Sequence, residues 1–215
     1  MSRVYKNSTE IMNLHGAPIY MEDMVDACLL GRLNLFLQGD TGSGKTQLAK
    51  DTMTHFPEKS LFILGRNDMD TRELFQQINL EKLREGKTSS ELRELTNKIN
   101  TNLIVVDELP NCVPAVRAQL FNLFDGFIEI NGKPYKIGNG YSVGIATGNV
   151  GQKFTESTNE LGRALKDRMH VILDTDYFHP KSSDTLEILA GNTNPSVEFS
   201  QEAEDNSQEI ITRHN

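Results

Sequence analysis

The residues best suited to chemistry lie in one glycine-rich loop, residues 39–46, of the form G-x-x-x-x-G-K-T. An apolar run precedes the loop and a helical pattern follows it, which an ordinary glycine-rich turn does not require. Glycines allow the backbone to wrap phosphates, so that N–H groups and the helix N-terminus face their negative charge. Lys45 can then reach the β- and γ-phosphates, and the Thr46 hydroxyl can ligate Mg²⁺. The pattern predicts an ATP site made by Gly39, Asp40, Thr41, Gly42, Ser43, Gly44, Lys45, Thr46 and Gln47.

Two acidic residues, Asp107 and Glu108, end the apolar run 103–106. Asp107 can hold Mg²⁺ through water, and Glu108 can polarise an attacking water as a general base. A strand that simply leads into a solvated turn is the alternative interpretation. Because the acids follow the phosphate loop with one further strand, 61–64, between them, the pattern favours hydrolysis over small-molecule kinase chemistry.

Two more positions could complete a hydrolytic site. The run 144–149 ends in Asn149, which could orient the attacking water or contact the γ-phosphate. Its alternative is an ordinary asparagine at the start of a loop. Arg168 lies in a basic stretch, 163–168, at the end of a predicted helix, where basic residues are also common because of the helix dipole.

The elements that must position these residues alternate between strand and helix. Apolar runs predict strands, and helical patterns lie between them, which is typical of a parallel sheet covered on both faces. The predicted strands are 33–38, 61–64, 103–106, 141–147 and 169–173. The fold class is therefore α/β, a three-layer sandwich around a five-stranded parallel sheet.

Other elements are predicted around this sheet. A helix is expected at 114–125, and a hairpin at 127–137 turns at Asn131-Gly132. Residues 70–99 predict a broken helix, and Ser157 begins a helix that ends near Lys166. The pattern fades after Asp174, so residues 1–180 are expected to form the nucleotide-binding core. Residues 181–215 form either a polar acidic tail or the beginning of an incomplete helical lid.

Composition sets outer limits on the function. The chain has 215 residues, a formal net charge of −8 and 37% hydrophobic residues, which suits one sizeable domain. The acidic balance argues against nucleic acid as the default partner, since phosphate backbones bind basic faces. Cys28 and Cys112 lack metal-site spacing and are expected to be reduced thiols. No run approaches the ~18 apolar residues of a membrane span, so a cytoplasmic location is expected.

Taken together, the motifs resemble the AAA+ ATPases, and within them the MoxR-like group of the helix-2-insert branch. The resemblance covers roughly residues 12–190. The loop 39–46 is similar to the Walker A motif, Asp107-Glu108 to Walker B, and the ending at Asn149 to sensor 1. The stretch 164–169 resembles the arginine-finger segment, with Arg168 in the finger position and Arg163 as the second candidate.

This resemblance implies strand order 5-1-4-3-2 and ATP hydrolysis with Mg²⁺ in a homo-oligomeric ring, a hexamer, in which Arg168 reaches the neighbouring subunit's nucleotide. It also implies a chaperone-like role in which a client protein is remodelled, with the hairpin and the 70–99 insert as contact surfaces. A DNA-processing or translocating ATPase is the alternative, suggested by Lys133 and Lys136 on the hairpin. A third hypothesis is a nucleotide-binding scaffold that hydrolyses poorly.

The sequence departs from the family pattern in three places. Asp107-Glu108-Leu109-Pro110-Asn111 stands where D-E-I-N-R is usual, and Met169 stands where an aromatic residue usually follows the finger. The helical lid that supplies a sensor-2 arginine is missing or only begun, and Arg213 has no pattern that identifies it as sensor 2.

Overall fold

The computed structural model describes residues 10–69, 76–78, 93–95, 97–130, 132–149, 163–164, 167–177, 182–190 and 207–214. In this part of the chain the strands are β1 (Glu10–Leu14), β2 (Ala17–Tyr20), β3 (Leu35–Gln38), β4 (Ser60–Leu64), β5 (Gln76–Ile78), β6 (Arg93–Leu95), β7 (Leu103–Asp107), β8 (Phe127–Ile130), β9 (Lys133–Lys136), β10 (Val143–Gly148) and β11 (Val171–Asp174). The helices are α1 (Met21–Gly31), α2 (Lys45–Met53), α3 (Pro114–Phe124), α4 (Ser182–Ala190) and α5 (Ser207–His214).

The central sheet has five parallel strands in the order β11-β3-β10-β7-β4. This is the predicted order 5-1-4-3-2, and it confirms the α/β fold class. The strands are apolar along their length because helices cover both faces, leaving no solvated side for an alternating pattern. Observed strand ends differ from the predicted ones by one or two residues.

Alternate strand residues pack into two separate hydrophobic layers. On one face, Phe36, Val106 and Ala146 pack with buried residues of α3. On the other face, Val105 and Ile145 pack with α1, α2 and α5. The glycine-rich loop leads into α2, so this second face is the one that carries the predicted chemistry.

Close packing of α3 against the sheet explains a glycine in the middle of β10. A Cβ atom added at Gly144 would run into the ring of Phe124 at the end of α3. The residue must therefore lack a side chain for α3 to lie this near the sheet.

Of the two predictions made for segments outside the central sheet, the structure confirms the hairpin and contradicts the broken helix. Strands β8 and β9 pair antiparallel from Phe127↔Lys136 to Ile130↔Lys133, which confirms the hairpin predicted from Asn131-Gly132. The broken-helix prediction for 70–99 is wrong at Gln76–Ile78 and Arg93–Leu95, which form β5 and β6 and pair antiparallel, whereas Asn97–Asn100 forms a short 3₁₀ helix. Apolar spacing and a capping box report only the local preference for a helix. Strand pairing between segments some fifteen residues apart competes with that preference, and the sequence pattern does not show it. The remaining residues of the insert (70–75, 79–92 and 96) lie outside the described residues, as does the helix predicted from Ser157 except for helical backbone at 163–164. Residues 167–168 are also helical.

The β1–β2 hairpin and helix α5 were not predicted from the sequence. Strands β1 and β2 form an N-terminal hairpin that leads directly into α1. Helix α5 packs on the second face, where Ile210 is buried and the His214 ring lies edge-on to Tyr141, 5.5 Å between centroids. The division into a core at 1–180 and a tail or lid at 181–215 stays a prediction.

Candidate nucleotide site

The glycine-rich loop is a tight turn between β3 and α2. Gly42 and Gly44 have φ of 88° and 85°, values that favour glycine, and α2 begins at Lys45 immediately after Gly44. The first N–H groups of a helix have no acceptor within the helix. They therefore face the opening in front of α2, together with the positive end of the helix dipole.

Lys45 is held inside this loop by the loop's own oxygen atoms. Its Nζ donates to the carbonyl of Gly39 at 2.9 Å, the carbonyl of Asp40 at 2.6 Å and the hydroxyl of Ser43 at 3.1 Å. Burial lowers the pKa of the Lys45 ammonium from its ordinary value, while neighbouring carboxylates, Asp176 foremost, act in the opposite direction. The result is a buried ammonium group at the start of a helix, which is what phosphate recognition requires.

The last residue of β11 and the two residues that follow it support the other side of the loop. We name this segment, Asp174-Thr175-Asp176, the clasp. The carboxylate of Asp176 accepts from the N–H of Asp40 at 2.8 and 3.0 Å. The Thr175 hydroxyl donates to the carbonyl of Gln38 at 2.9 Å and lies 2.6 Å from the hydroxyl of Ser43. The clasp therefore holds the loop from the neighbouring strand β11.

The clasp was not found from the sequence. Asp174, Thr175 and Asp176 lie where the apolar pattern ends, and nothing local links them to the glycine-rich loop. The only usable signal is topological, because β11 lies beside β3 and parallel neighbours end at the same edge of a sheet.

Asp107 lies at the end of β7 opposite the start of α2. Its Oδ1 atom accepts from the Thr46 hydroxyl at 2.8 Å and from the Thr147 hydroxyl at 2.5 Å. The two predicted Mg²⁺ ligands, Thr46 and Asp107, are thus in direct contact. Thr147, on β10, was not among the predicted site residues.

Glu108 adopts the left-handed backbone conformation, with φ of 55° and ψ of 41°. Its N–H donates to the Thr147 hydroxyl at 3.1 Å, and its exposed carboxylate accepts from Asn111 Nδ2 at 2.6 Å. Asn111 belongs to the Leu-Pro-Asn segment that departs from the family pattern. A residue of that segment therefore contacts the predicted base directly.

These elements enclose one cleft of 350 Å³. Asn149 reaches the glycine-rich loop from the end of β10, donating through Nδ2 to the Thr41 hydroxyl at 3.0 Å. The cleft is lined by Thr41, Gly42, Gly44, Lys45, Thr46, Gln47, Lys50, Asp107, Glu108, Thr147, Gly148 and Asn149. Lys50 was missed by sequence reasoning, although it lies one helical turn beyond Thr46 on α2.

Arg168 is placed apart from this cleft. Its Nε lies 3.3 Å from a carboxylate oxygen of Asp125, and its guanidinium lies over the Phe121 ring, 5.2 Å from the centroid. The Arg168 carbonyl accepts from Asn34 Nδ2 at 3.1 Å, which ties the segment to the start of β3. Within the described residues, the structure therefore brings together the predicted loop, acid and asparagine residues, and separates Arg168 from them.

A parallel α/β sheet with a glycine-rich loop between one strand, here β3, and the helix that follows it, here α2, defines the P-loop class of nucleotide-binding domains. The family model for the AAA domain of the dynein-related subfamily matches residues 34–169, and the chain belongs to this family of ATPases. The fold also matches the crystal structure of a "putative ATPase" from Cytophaga hutchinsonii, with a TM-score of 0.61 and 16% identity.

That match covers 91% of this chain and 56% of the other, so this chain spans little more than half the length of the Cytophaga protein. At this level of identity the likeness concerns the fold. A comparison with curated protein sequences gives no match. In the part of the chain that the structure describes, none of the helices combines the length and apolar character needed to cross a membrane.

Proposed function

We propose that this protein is an ATP hydrolase that requires Mg²⁺. The observation that supports this most is the convergence of the phosphate loop, the Asp107-Glu108 pair and Asn149 on one cleft. Family membership supports the same conclusion, because the matched segment contains all of these residues.

The residues in the cleft fit a nucleoside triphosphate. Lys45 presents a buried ammonium group whose three present acceptors all belong to its own loop, so it can turn toward phosphate oxygens without leaving its position. The helix start at Lys45 adds backbone N–H groups that point the same way.

The residues also fit a hard divalent cation. Mg²⁺ binds through one or two protein oxygen ligands together with phosphates and water, rather than in an all-protein cage. Thr46 and Asp107 offer a hydroxyl and a carboxylate in contact. Among the described residues no group of three or more His, Cys, Asp or Glu side chains could hold a metal, which agrees with this mode of binding. Bound Mg²⁺ would neutralise charge on the phosphate oxygens as it develops.

Glu108 is the residue we propose as the general base. Its carboxylate is exposed to the cleft and can accept the proton of a water that attacks the γ-phosphate. The hydrogen bond from Asn111 occupies one of its two oxygens, Oε2, and leaves Oε1 for the water. Asn149 is proposed to orient that water or the γ-phosphate from the end of β10.

Arg168 is proposed to act on the nucleotide of a neighbouring subunit in a homo-oligomeric ring. This is supported by its distance from its own cleft and by a side chain that remains one-third exposed beside Asp125. Releasing Arg168 from an exposed ion pair and a ring contact requires only about 1–2 kcal/mol. A ring contact could therefore recruit it.

The biological role we propose is that of a MoxR-like chaperone that remodels a partner protein. The β8–β9 hairpin and the 70–99 insert are the proposed contact surfaces, since β8–β9 and, within the insert, β5–β6 pair separately from the central sheet. DNA processing is the second candidate, favoured by the exposed Lys133 and Lys136 of β9. Stimulation of ATP hydrolysis by DNA that falls steeply with salt would select the second candidate.

The test of the activity is Glu108→Gln, with phosphate release and nucleotide binding measured on the same samples. The variant should bind ATP like the parent and lose hydrolysis by a factor of about 100 or more, because an amide cannot accept the proton. Glu129→Gln is the matched control, since it removes one exposed acid from β8 with the same change in charge. Parent-level turnover by Glu108→Gln would refute the assignment of the base.

A further inference from the structure

We infer that Thr147 is the positioning residue for both acids of the site, and that its hydroxyl sets the affinity of the cleft for Mg²⁺. This inference rests on the proposed Mg²⁺-dependent ATP hydrolysis and assigns a role to Thr147, a residue of the run 144–149 for which only Asn149 was predicted to act. Thr147 is only 1% exposed, so its hydroxyl interacts with protein groups and not with bulk solvent.

The position of Thr147 follows from strand register. Strands β10 and β7 pair with Ile145 level with Val105 and Ala146 level with Val106. Continuing this register by one residue brings Thr147 beside Asp107, in agreement with the hydrogen bond between their side chains. Both continue the row of side chains that faces α2, since Val105 and Ile145 belong to the hydrophobic layer on that side. The sheet therefore fixes a hydroxyl beside the aspartate.

The single hydroxyl of Thr147 contacts both acidic residues. Its proton is donated to Asp107 Oδ1, and its oxygen accepts the backbone N–H of Glu108 at 3.1 Å. The bond to Asp107 fixes the direction of the carboxylate. The bond to Glu108 holds the residue at the point where the chain turns into the left-handed conformation.

The same pattern separates the role of Thr147 from that of Thr46. Both hydroxyls donate to Asp107 Oδ1. Both threonines line the cleft, but Thr147 is buried and its oxygen accepts the Glu108 N–H, whereas Thr46 is only half-buried and can offer a lone pair to a cation. Thr46 can therefore be a metal ligand, and Thr147 supports the ligand set from behind. Removing a group that supports metal ligands typically weakens metal affinity 10- to 100-fold.

The experiment replaces Thr147 by valine, which keeps the shape of the side chain and removes the hydroxyl, and by serine, which keeps the hydroxyl. The readout is the Mg²⁺ concentration that gives half of the maximal thermal stabilisation by a non-hydrolysable ATP analogue. Thr147→Val should raise this concentration at least about 10-fold, and Thr147→Ser should restore it to within about 3-fold of the parent. Thr147→Ala carries the same expectation as valine and replaces it if the valine variant does not fold.

Thr52→Val is the matched control. Thr52 is also buried, and its hydroxyl bonds to the Leu48 carbonyl within α2 without touching either acid. It should lower thermal stability without changing the Mg²⁺ concentration at half effect. Equal Mg²⁺ dependence in parent and Thr147→Val would overturn the inference, as would an equal shift in the valine and serine variants. A parent whose stabilisation by the analogue does not depend on Mg²⁺ would overturn the proposed function, and this inference with it.

Discussion

Replacing Lys45 by alanine tests whether the glycine-rich loop binds nucleotide. The ammonium has its three hydrogen bonds within the loop, so the change also affects the free protein. It leaves two carbonyls and the Ser43 hydroxyl without this donor, but it also removes a charge whose burial is unfavourable, as its lowered pKa indicates. The stability of the free variant is therefore no measure of binding. The relevant quantity is the increase in the free energy of unfolding that bound nucleotide adds.

The size of that increment can be worked out. A charge-assisted hydrogen bond contributes about 1.5–3 kcal/mol, so losing the contact with phosphate weakens binding roughly 100-fold. At a nucleotide concentration of about 100 times the parent Kd, the parent gains about 2.7 kcal/mol and the variant about 0.4 kcal/mol. For a chain of this size, these values correspond to a rise in Tm of about 5–10 °C for the parent and of about 1 °C for the variant.

The assay is thermal denaturation with Mg²⁺ and a non-hydrolysable ATP analogue. Lys98→Ala is the matched control, because Lys98 is exposed in the short 3₁₀ helix before β7 and its loss changes the charge equally. The Lys98→Ala variant should show the same rise in Tm with nucleotide as the parent. A folded Lys45→Ala protein with the increment of the parent would refute the reasoning, since the loop could then not be the phosphate site.

Two other predictions concern charge and assembly. Burial raises the pKa of Asp51 from 3.8 to about 6, so the native state binds more protons than the unfolded state between these pH values, and the free energy of unfolding falls as pH rises through this window. In urea denaturation, the free energy of unfolding of the parent should fall by about 2–3 kcal/mol between pH 4 and pH 7, and this fall should be absent in Asp51→Asn. The same pH profile in both proteins would contradict the prediction. Arg168→Ala should bind ATP normally and hydrolyse it about 10³–10⁵-fold more slowly. Phosphate release should recover when it is mixed with Lys45→Ala; continued inactivity of a demonstrated mixed oligomer would place Arg168 in its own subunit.

The parts of the fold that sequence predicts well are those where one local pattern has one structural outcome. Continuous apolar runs flanked by helical patterns fit only buried parallel strands, and all five were confirmed. Asn131-Gly132 similarly identified the β8–β9 hairpin, because few residue pairs adopt its tight turn. Strand order came from the family resemblance, since spacing alone does not determine which strands are neighbours.

The parts that sequence missed depend on contacts between distant residues. The β5–β6 pairing overrides local helical signals, and α5 gains its stability by packing Ile210 against α1 and the sheet. In the candidate site, the loop and the acidic residues belong to motifs that the sequence shows directly. The contact between Thr147 and Asp107 can be predicted only once β10 is known to lie beside β7. A buried threonine near the end of an apolar run has no distinguishing local pattern.

The clasp has a consequence for how far a working fragment of this protein must extend. A Cβ atom added at Gly39 would collide with the Thr175 hydroxyl and lie 2.9 Å from Asp176 Oδ1. Packing against the clasp therefore requires a glycine at the first position of the loop. The family match ends at residue 169, before β11 and the clasp. A fragment cut at that boundary would contain every motif residue yet lack the strand and the carboxylate that hold the loop. The smallest autonomous nucleotide-binding unit therefore has to extend at least as far as Asp176.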